Sequence, residues 1–247
     1  MGKPLVSYVI PCYNAEATIA STVYSIKDSG KESWDAVEII LVDDGSTDAT
    51  GLIIESLCTE LKNIQIAHIT NQGKGAARNF GNKMAKADII AVMDADDWNV
   101  ADRASAILMT FEKHPEADIF YSGFVSKHIY DGKEVPFPAG PINEKLLRDT
   151  GTWGISHSAV AYRKKVILEV PYSLDRNKDD WNMLWNFYTK GYKFCFVVEP
   201  LVVYRVDIES IKENPEELIK YEAHLLEKKK KIMESFFKEK ENEKVSD

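Results

Sequence analysis

The chain has 247 residues, 45% of them apolar, which is enough for one large globular domain with a substantial core. Its 31 basic and 39 acidic side chains leave a formal charge of -8 and no basic stripe. That argues against nucleic acid as a partner, because phosphate contacts need clustered Lys and Arg, and a phosphate ligand is expected to come with a metal ion.

Cys12, Cys58 and Cys195 lie far apart and form no CxxC pair, so reduced, buried thiols are expected rather than a zinc site or disulfides. The first residues, MGKPLVSYVIP, contain no apolar core of a signal peptide. No segment approaches the ~20 apolar residues of a membrane span, so a soluble intracellular protein is expected.

In chain order, LVSYVIPCY reads as a buried β-branched strand ending at Pro11, with Asn14 placed to cap the following helix. Ile19, Val23 and Ile26 give that helix an apolar face. VEIILV is a second strand stopped by DDGSTD, where Ser46 or Asp48 suits a helix cap, and Ile53, Leu57 and Leu61 mark the second helix. IQIAHI, the helix GAARNFGNKMAKA and the strand DIIAVM follow, then a helix from Arg103 to His114 and a strand DIFYSGF. Alternation of this kind predicts a parallel sheet with helices on both faces, and ligands bind beyond the carboxyl ends of such strands. Those ends carry Pro11 to Asn14, Asp43 to Gly45, Asn71 to Gly73 and Asp94 to Asp97.

Beyond residue 125 the rhythm breaks, and Pro136, Pro138, Gly140 and Pro141 predict an irregular loop. GTWGISHSAVAYRKKVILEV reads as loop, short strand and short helix; DDWNMLWNFYTKG as a helix ended by Gly191; YKFCFVV as a strand. From Pro215 a charged amphipathic helix is predicted. It has three uses open to it, packing on the domain, pairing subunits as a homodimer, or peripheral contact with a membrane; its Lys228–Lys231 run reads as a solvated face.

Asp94 and Asp96 are spaced to point to one side of an extended chain and form a hard-oxygen site suited to Mg²⁺ or Mn²⁺. Taken alone, the same acids are explained as well or better by the dipole at the N-terminus of the next helix. Asp44 is either part of a turn or an acceptor for the N–H of a base or for a hydroxyl. Gly73 and Gly75 allow close backbone approach, and Lys74 and Arg78 can meet phosphate at a helix start. Asp179 and Asp180 suit a helix dipole, or one of them a general base facing a cleft. Trp153, Trp181 and Trp185 are expected in the core, and His157 as a surface or hydrogen-bonded histidine. Arg205 is placed to pair with a core acid or to reach a diphosphate.

VSYVIPCYNAEATIASTVYSI, VEIILVDDGSTDAT, NQGKGAARNFG, ADIIAVMDADDW and DDWNMLWNFYTKGYKF, in this order over residues 4 to 205, resemble the family 2 glycosyltransferases. The resemblance implies an α/β GT-A fold, a mostly parallel sheet with helices on both faces. It divides into a nucleotide-sugar half (1–124), an acceptor and base half (125–212) and a tail (213–247). It implies inversion at the anomeric carbon, Mn²⁺ or Mg²⁺, a nucleotide-sugar donor of the UDP type, and a carbohydrate or lipid-linked glycan acceptor on the cytoplasmic side.

By position, Pro11, Tyr13 and Asn14 would border the nucleotide and Asp44 would hold its base. Lys74 and Arg78 would approach the nucleotide, Asp94, Ala95 and Asp96 would form the DxD motif with Asp96 the direct metal ligand, and Asp180 would be the base. The chain departs from the family with Asp179 in place of Glu and with Asp207 after Tyr-Arg-Val.

Three other readings use parts of the same pattern. A nucleotidyltransferase or a dinucleotide-dependent dehydrogenase would need its glycine-rich loop after the first strand, where this chain has PCYNAEA. A nucleotide-binding module without catalysis is opposed by the presence of Asp94, Asp96 and Asp180.

Overall fold

The β-branched runs form the strands β1 (Val6–Cys12), β2 (Val37–Asp43), β3 (Ile64–His68) and β4 (Ile89–Val92) in a computed structural model. It describes residues 3–142, 154–174 and 179–206, with Ala223, Glu227 and Glu234 as isolated helical positions. These strands pair in parallel in the order β3–β2–β1–β4. The near-complete burial of β1, β2 and β4 follows from cover on both faces, while β3, at the edge, is mostly half-buried.

The crossovers are α1 (Ile19–Ser29), α2 (Thr50–Glu60) and α3 (Lys74–Met84). Tyr8 and Ile10 of β1 face a core with α1 and α2, while Val9 faces a second core with α3. In α2, Ile54 takes the buried place expected of Ile53, which is only partly covered.

The remaining elements are β5 (Trp98–Asn99), α4 (Arg103–Lys113), β6 (Ile119–His128), β7 (Glu134–Phe137), β8 (Val160–Arg163), α5 (Lys164–Glu169), α6 (Asp179–Thr189) and β9 (Phe194–Val206). Among the described residues nine strands make one sheet, ordered β3–β2–β1–β4–β8–β6–β9–β5 with β7 beside β6. β8 runs antiparallel between β4 and β6, while β6 and β9 are parallel, so the mostly parallel sheet has one reversed strand at its centre and two more in β5 and β7, antiparallel to β9 and β6. β6 runs through residue 124, so one sheet carries both halves of the chain.

Some local expectations are corrected. Pro136 stands in β7 rather than in a loop; β7 pairs with β6 alone, and a sheet edge is where proline is tolerated. Asn14 does not cap α1, which begins at Ile19 after Thr18. Trp185 is 37% exposed, not in the core. Trp153, the side chain of Trp181, the Lys228–Lys231 run and the segment predicted as a tail helix, apart from Ala223, Glu227 and Glu234, lie outside the described residues. All three cysteines are free thiols, with Cys12 and Cys195 buried.

Two contacts fix the ends and the bend of the sheet. At the end of β2, the Asp43 carboxylate accepts from the Ser46 N–H at 3.0 Å and lies 3.0 Å from His68 Nδ1 at the end of β3. In the middle of β6, register slips against β9 around Gly123, and a Cβ there would meet the carbonyls of Val198 at 2.7 Å and Phe137 at 2.9 Å. Both neighbours are backbone and neither can rotate away. Gly123→Ala is therefore expected to lower the unfolding free energy by about 1–3 kcal/mol in urea titration.

Burial pushes the Asp43 pKa up, but the Ser46 and His68 hydrogen bonds outweigh it and hold it below the ordinary value. A lowered carboxylate pKa means the unfolded chain binds the proton first, so this stability is complete above the unfolded value of ~4 and is lost as pH falls through the folded one. His68→Ala is expected to show a shallower acid loss of stability than wild type; an unchanged pH slope would contradict the assignment.

Candidate active site

Four strand ends meet at one rim and enclose a cleft of about 970 Å³. The β1–α1 loop contributes Pro11, Tyr13 and Asn14; the β2–α2 loop Asp44 and Thr47; the β3–α3 loop and α3 Asn71, Lys74 and Arg78. The end of β4 contributes Asp94, Ala95 and Asp96, and β9 contributes Arg205. Every position the sequence assigned to the nucleotide sugar thus lines one space of a size suited to a small ligand. Asp180 is in the first turn of α6, but its side chain lies outside the described residues.

The loops of the rim are tied to one another. Asn14 has φ of 49°, a left-handed conformation that asparagine tolerates better than most residues. This turns its side chain onto the next loop, where Oδ1 accepts from the Thr47 N–H at 2.8 Å. Its own N–H donates to Ser46 Oγ at 3.1 Å, and the Ala15 N–H to Thr50 Oγ1 at 2.7 Å. Asp44 is buried, and its two oxygens accept from the N–H groups of Gln72 and Gly73, each at 2.8 Å. Gly73, at φ of 93°, then opens α3. Asp44 therefore shapes the loop that carries Lys74, while a carboxylate's further lone pairs leave it able to accept from a ligand.

Three aspartates in four positions repel one another, and buried groups offset this. Arg78 is 1% exposed and pairs with Asp94, its guanidinium 5.3 Å from the centre of the Tyr172 ring. Burial pushes the Asp94 pKa up, but the charges of Arg78, His157 and Lys74 hold it below the usual carboxylate range. The Tyr172 hydroxyl is 2.8 Å from His157 Nε2, so His157 is a buried, hydrogen-bonded histidine.

Asp97 is fully buried; burial first, then the charges of Asp94 and Asp96, push its pKa well above the ordinary value. Ser158 joins the two acids, its hydroxyl bonding the Asp97 carboxyl while its oxygen accepts from the Asp94 N–H at 3.0 Å. Arg103, also fully buried, donates to the carbonyls of Val92 at 2.9 Å and Val160 at 2.8 Å, and its charge acts on Asp97.

Asp96 is the exposed acid of the three. Among the described residues no group of three or more His, Cys, Asp or Glu is arranged to hold a metal. With Asp94 committed to Arg78, the donor set fits a cation held by one or two carboxylates, with water and ligand phosphate completing the shell, as Mg²⁺ is commonly bound. Thr18 and Thr47 also line the cleft, and reasoning from sequence did not assign them. Thr47 stands in DDGSTDAT, where its hydroxyl could have been noted, but only as part of a turn.

A family model described as "Glycosyl transferase family 2" matches residues 7–170. The glycosyltransferase GlyG of Streptococcus pneumoniae is 29% identical over 216 residues, covering 81% of this chain and 70% of that protein. The undecaprenyl-phosphate 4-deoxy-4-formamido-L-arabinose transferase of Pseudomonas fluorescens is 29% identical over 166 residues, covering 66% of this chain and 48% of that protein.

Among solved structures, residues 1–349 of Staphylococcus aureus TarS in complex with UDP-GlcNAc align with a TM-score of 0.66 at 19% identity, covering 82% of this chain and 58% of that one. The chain spans about half the length of these last two proteins. The TarS likeness bears on the fold alone, the GT-A arrangement. With most of its length matched to the family model, the chain belongs to glycosyl transferase family 2.

Proposed function

We propose that the chain is an inverting, metal-dependent glycosyltransferase that moves a sugar from a UDP-sugar to an acceptor hydroxyl. The observation that carries this reading is the meeting of the Asp94–Asp96 acids with Lys74, Arg78 and Arg205 around a single cleft, beside Asp44 and the β1 loop. Family membership supports the reaction class, and TarS, which shares the fold, has been crystallised with UDP and with UDP-GlcNAc.

In this reading Pro11, Tyr13 and Asn14 border the nucleoside and Asp44 accepts from the N–H of its base. Lys74, Arg78 and Arg205 present positive charge to the diphosphate. Asp96, with Asp94, would hold Mn²⁺ or Mg²⁺, which supplies Lewis acidity to a leaving diphosphate. The acceptor oxygen attacks the anomeric carbon from the face opposite the diphosphate, the glycosidic C–O bond breaks towards phosphate, and Asp180 takes the acceptor proton.

The acceptor would be a growing carbohydrate or lipid-linked glycan for surface polysaccharide, met at the cytoplasmic face of the membrane. The name of the Pseudomonas fluorescens relative includes a lipid phosphate of this kind. No helix among the described residues is long and apolar enough to cross a membrane.

A screen of UDP-sugars in the presence of Mn²⁺ should find one that the protein hydrolyses or transfers. With that donor, Asp180→Asn should bind UDP as wild type does and lose about 10²–10⁴-fold in turnover. Near-native turnover in Asp180→Asn would remove Asp180 from the role of base.

A further inference from the structure

Asp97 is the one acid of the loop to which the donor reading gives no part. It is 0% exposed, and its Oδ1 accepts from the backbone N–H of Arg205 at 3.0 Å. The same two segments pair as β5 and β9, Trp98 opposite Val203 and Asn99 opposite Val202, and the Val100 N–H reaches the Leu201 carbonyl at 3.3 Å.

β5 is two residues long. Residues 203 and 205 of a strand turn their N–H groups to the same side. Where β5 runs out, the Asp97 carboxyl takes the next N–H that a longer strand would have taken. Arg205 lies one residue before the end of β9, its guanidinium 5.9 Å from the centre of the Trp98 ring, and it lines the cleft that Asp96 also lines. The Trp98 indole N–H is itself anchored on Ser21 Oγ at 3.1 Å.

We propose that Asp97 is a positioning residue: β6 pairs with Arg205 and Val206 on one side of β9, and on the other side, past the last pair of β5, the Asp97 carboxyl holds the Arg205 N–H and so aims the guanidinium at the donor diphosphate. This rests on the donor reading of the cleft. An acid that merely closed the sheet would affect stability without acting through Arg205, and that difference can be measured.

The experiment is a double-mutant cycle read by calorimetric binding of UDP with Mn²⁺ and, separately, of inorganic pyrophosphate with Mn²⁺. Asp97→Ala should weaken binding about tenfold in the wild-type background and have no further effect in Arg205→Ala. Asp97→Asn, which keeps an acceptor oxygen at the same place, should recover most of the affinity. Asp97→Ser, too short to reach the Arg205 N–H, replaces Asp97→Ala if that variant does not fold.

Equal losses in both backgrounds, no loss at all, or failure of Asp97→Asn to recover affinity would overturn the proposal. A wild type that binds pyrophosphate but ignores UDP would contradict the choice of nucleotide alone, and the cycle is then read with pyrophosphate. A wild type that binds neither would overturn both.

Discussion

A buried arginine paired with an acid at the end of the central strand is the interaction on which the cleft depends. Arg78 is inside the protein, reaching from α3 across the end of β4 to Asp94. The Asp94 side chain is 29% exposed on the cleft, so the larger cost falls on its removal, which leaves the buried guanidinium uncompensated, about 3–5 kcal/mol. The pair also decides what the acidic loop can do. It holds Asp94 charged but committed, keeps Asp96 at the open edge, and brings a positive charge to the place where a diphosphate would develop more negative charge.

The rest of the rim is held in place by contacts between loops. Each of the first three loops is held by a neighbour rather than by its own helix: Asn14 by Thr47, Asp44 by the amides of Gln72 and Gly73. On the far side Tyr172 supports the Arg78 guanidinium, and Asn79 clamps the Tyr172 backbone with two hydrogen bonds of 2.9 Å. Tyr172 precedes the segment that leads to α6 and Asp180.

Much of this was legible in the chain. Buried β-branched runs alternating with amphipathic helices specify a parallel sheet, and such a sheet specifies which residues share its carboxyl edge. Pro11, Asp44, Lys74 and Asp94 could be brought together on that rule alone.

What could not be read depends on partners distant in sequence. β5 is too short to carry a period and exists because Val202 and Val203 lie beside it. β8 looks like any short strand, and its place between β4 and β6 is set by pairing on both sides. Asn14 has the chemistry of a helix cap, but its left-handed backbone sends the side chain to another loop. The burial of Asp97 had no signal either, since three acids in DADD look alike until Arg103, Ser158 and β9 close over one of them.

The central claim is that the Asp94–Asp96 loop and Arg78 form a cradle for a diphosphate held through a divalent cation. A crystal structure with UDP and Mn²⁺, with manganese located by its anomalous scattering, tests it most directly. The account predicts manganese within coordination distance of the Asp96 carboxylate and diphosphate oxygens on the side of Lys74 and Arg78. A diphosphate bound elsewhere, or bound in the cleft with no manganese beside Asp96, would contradict it.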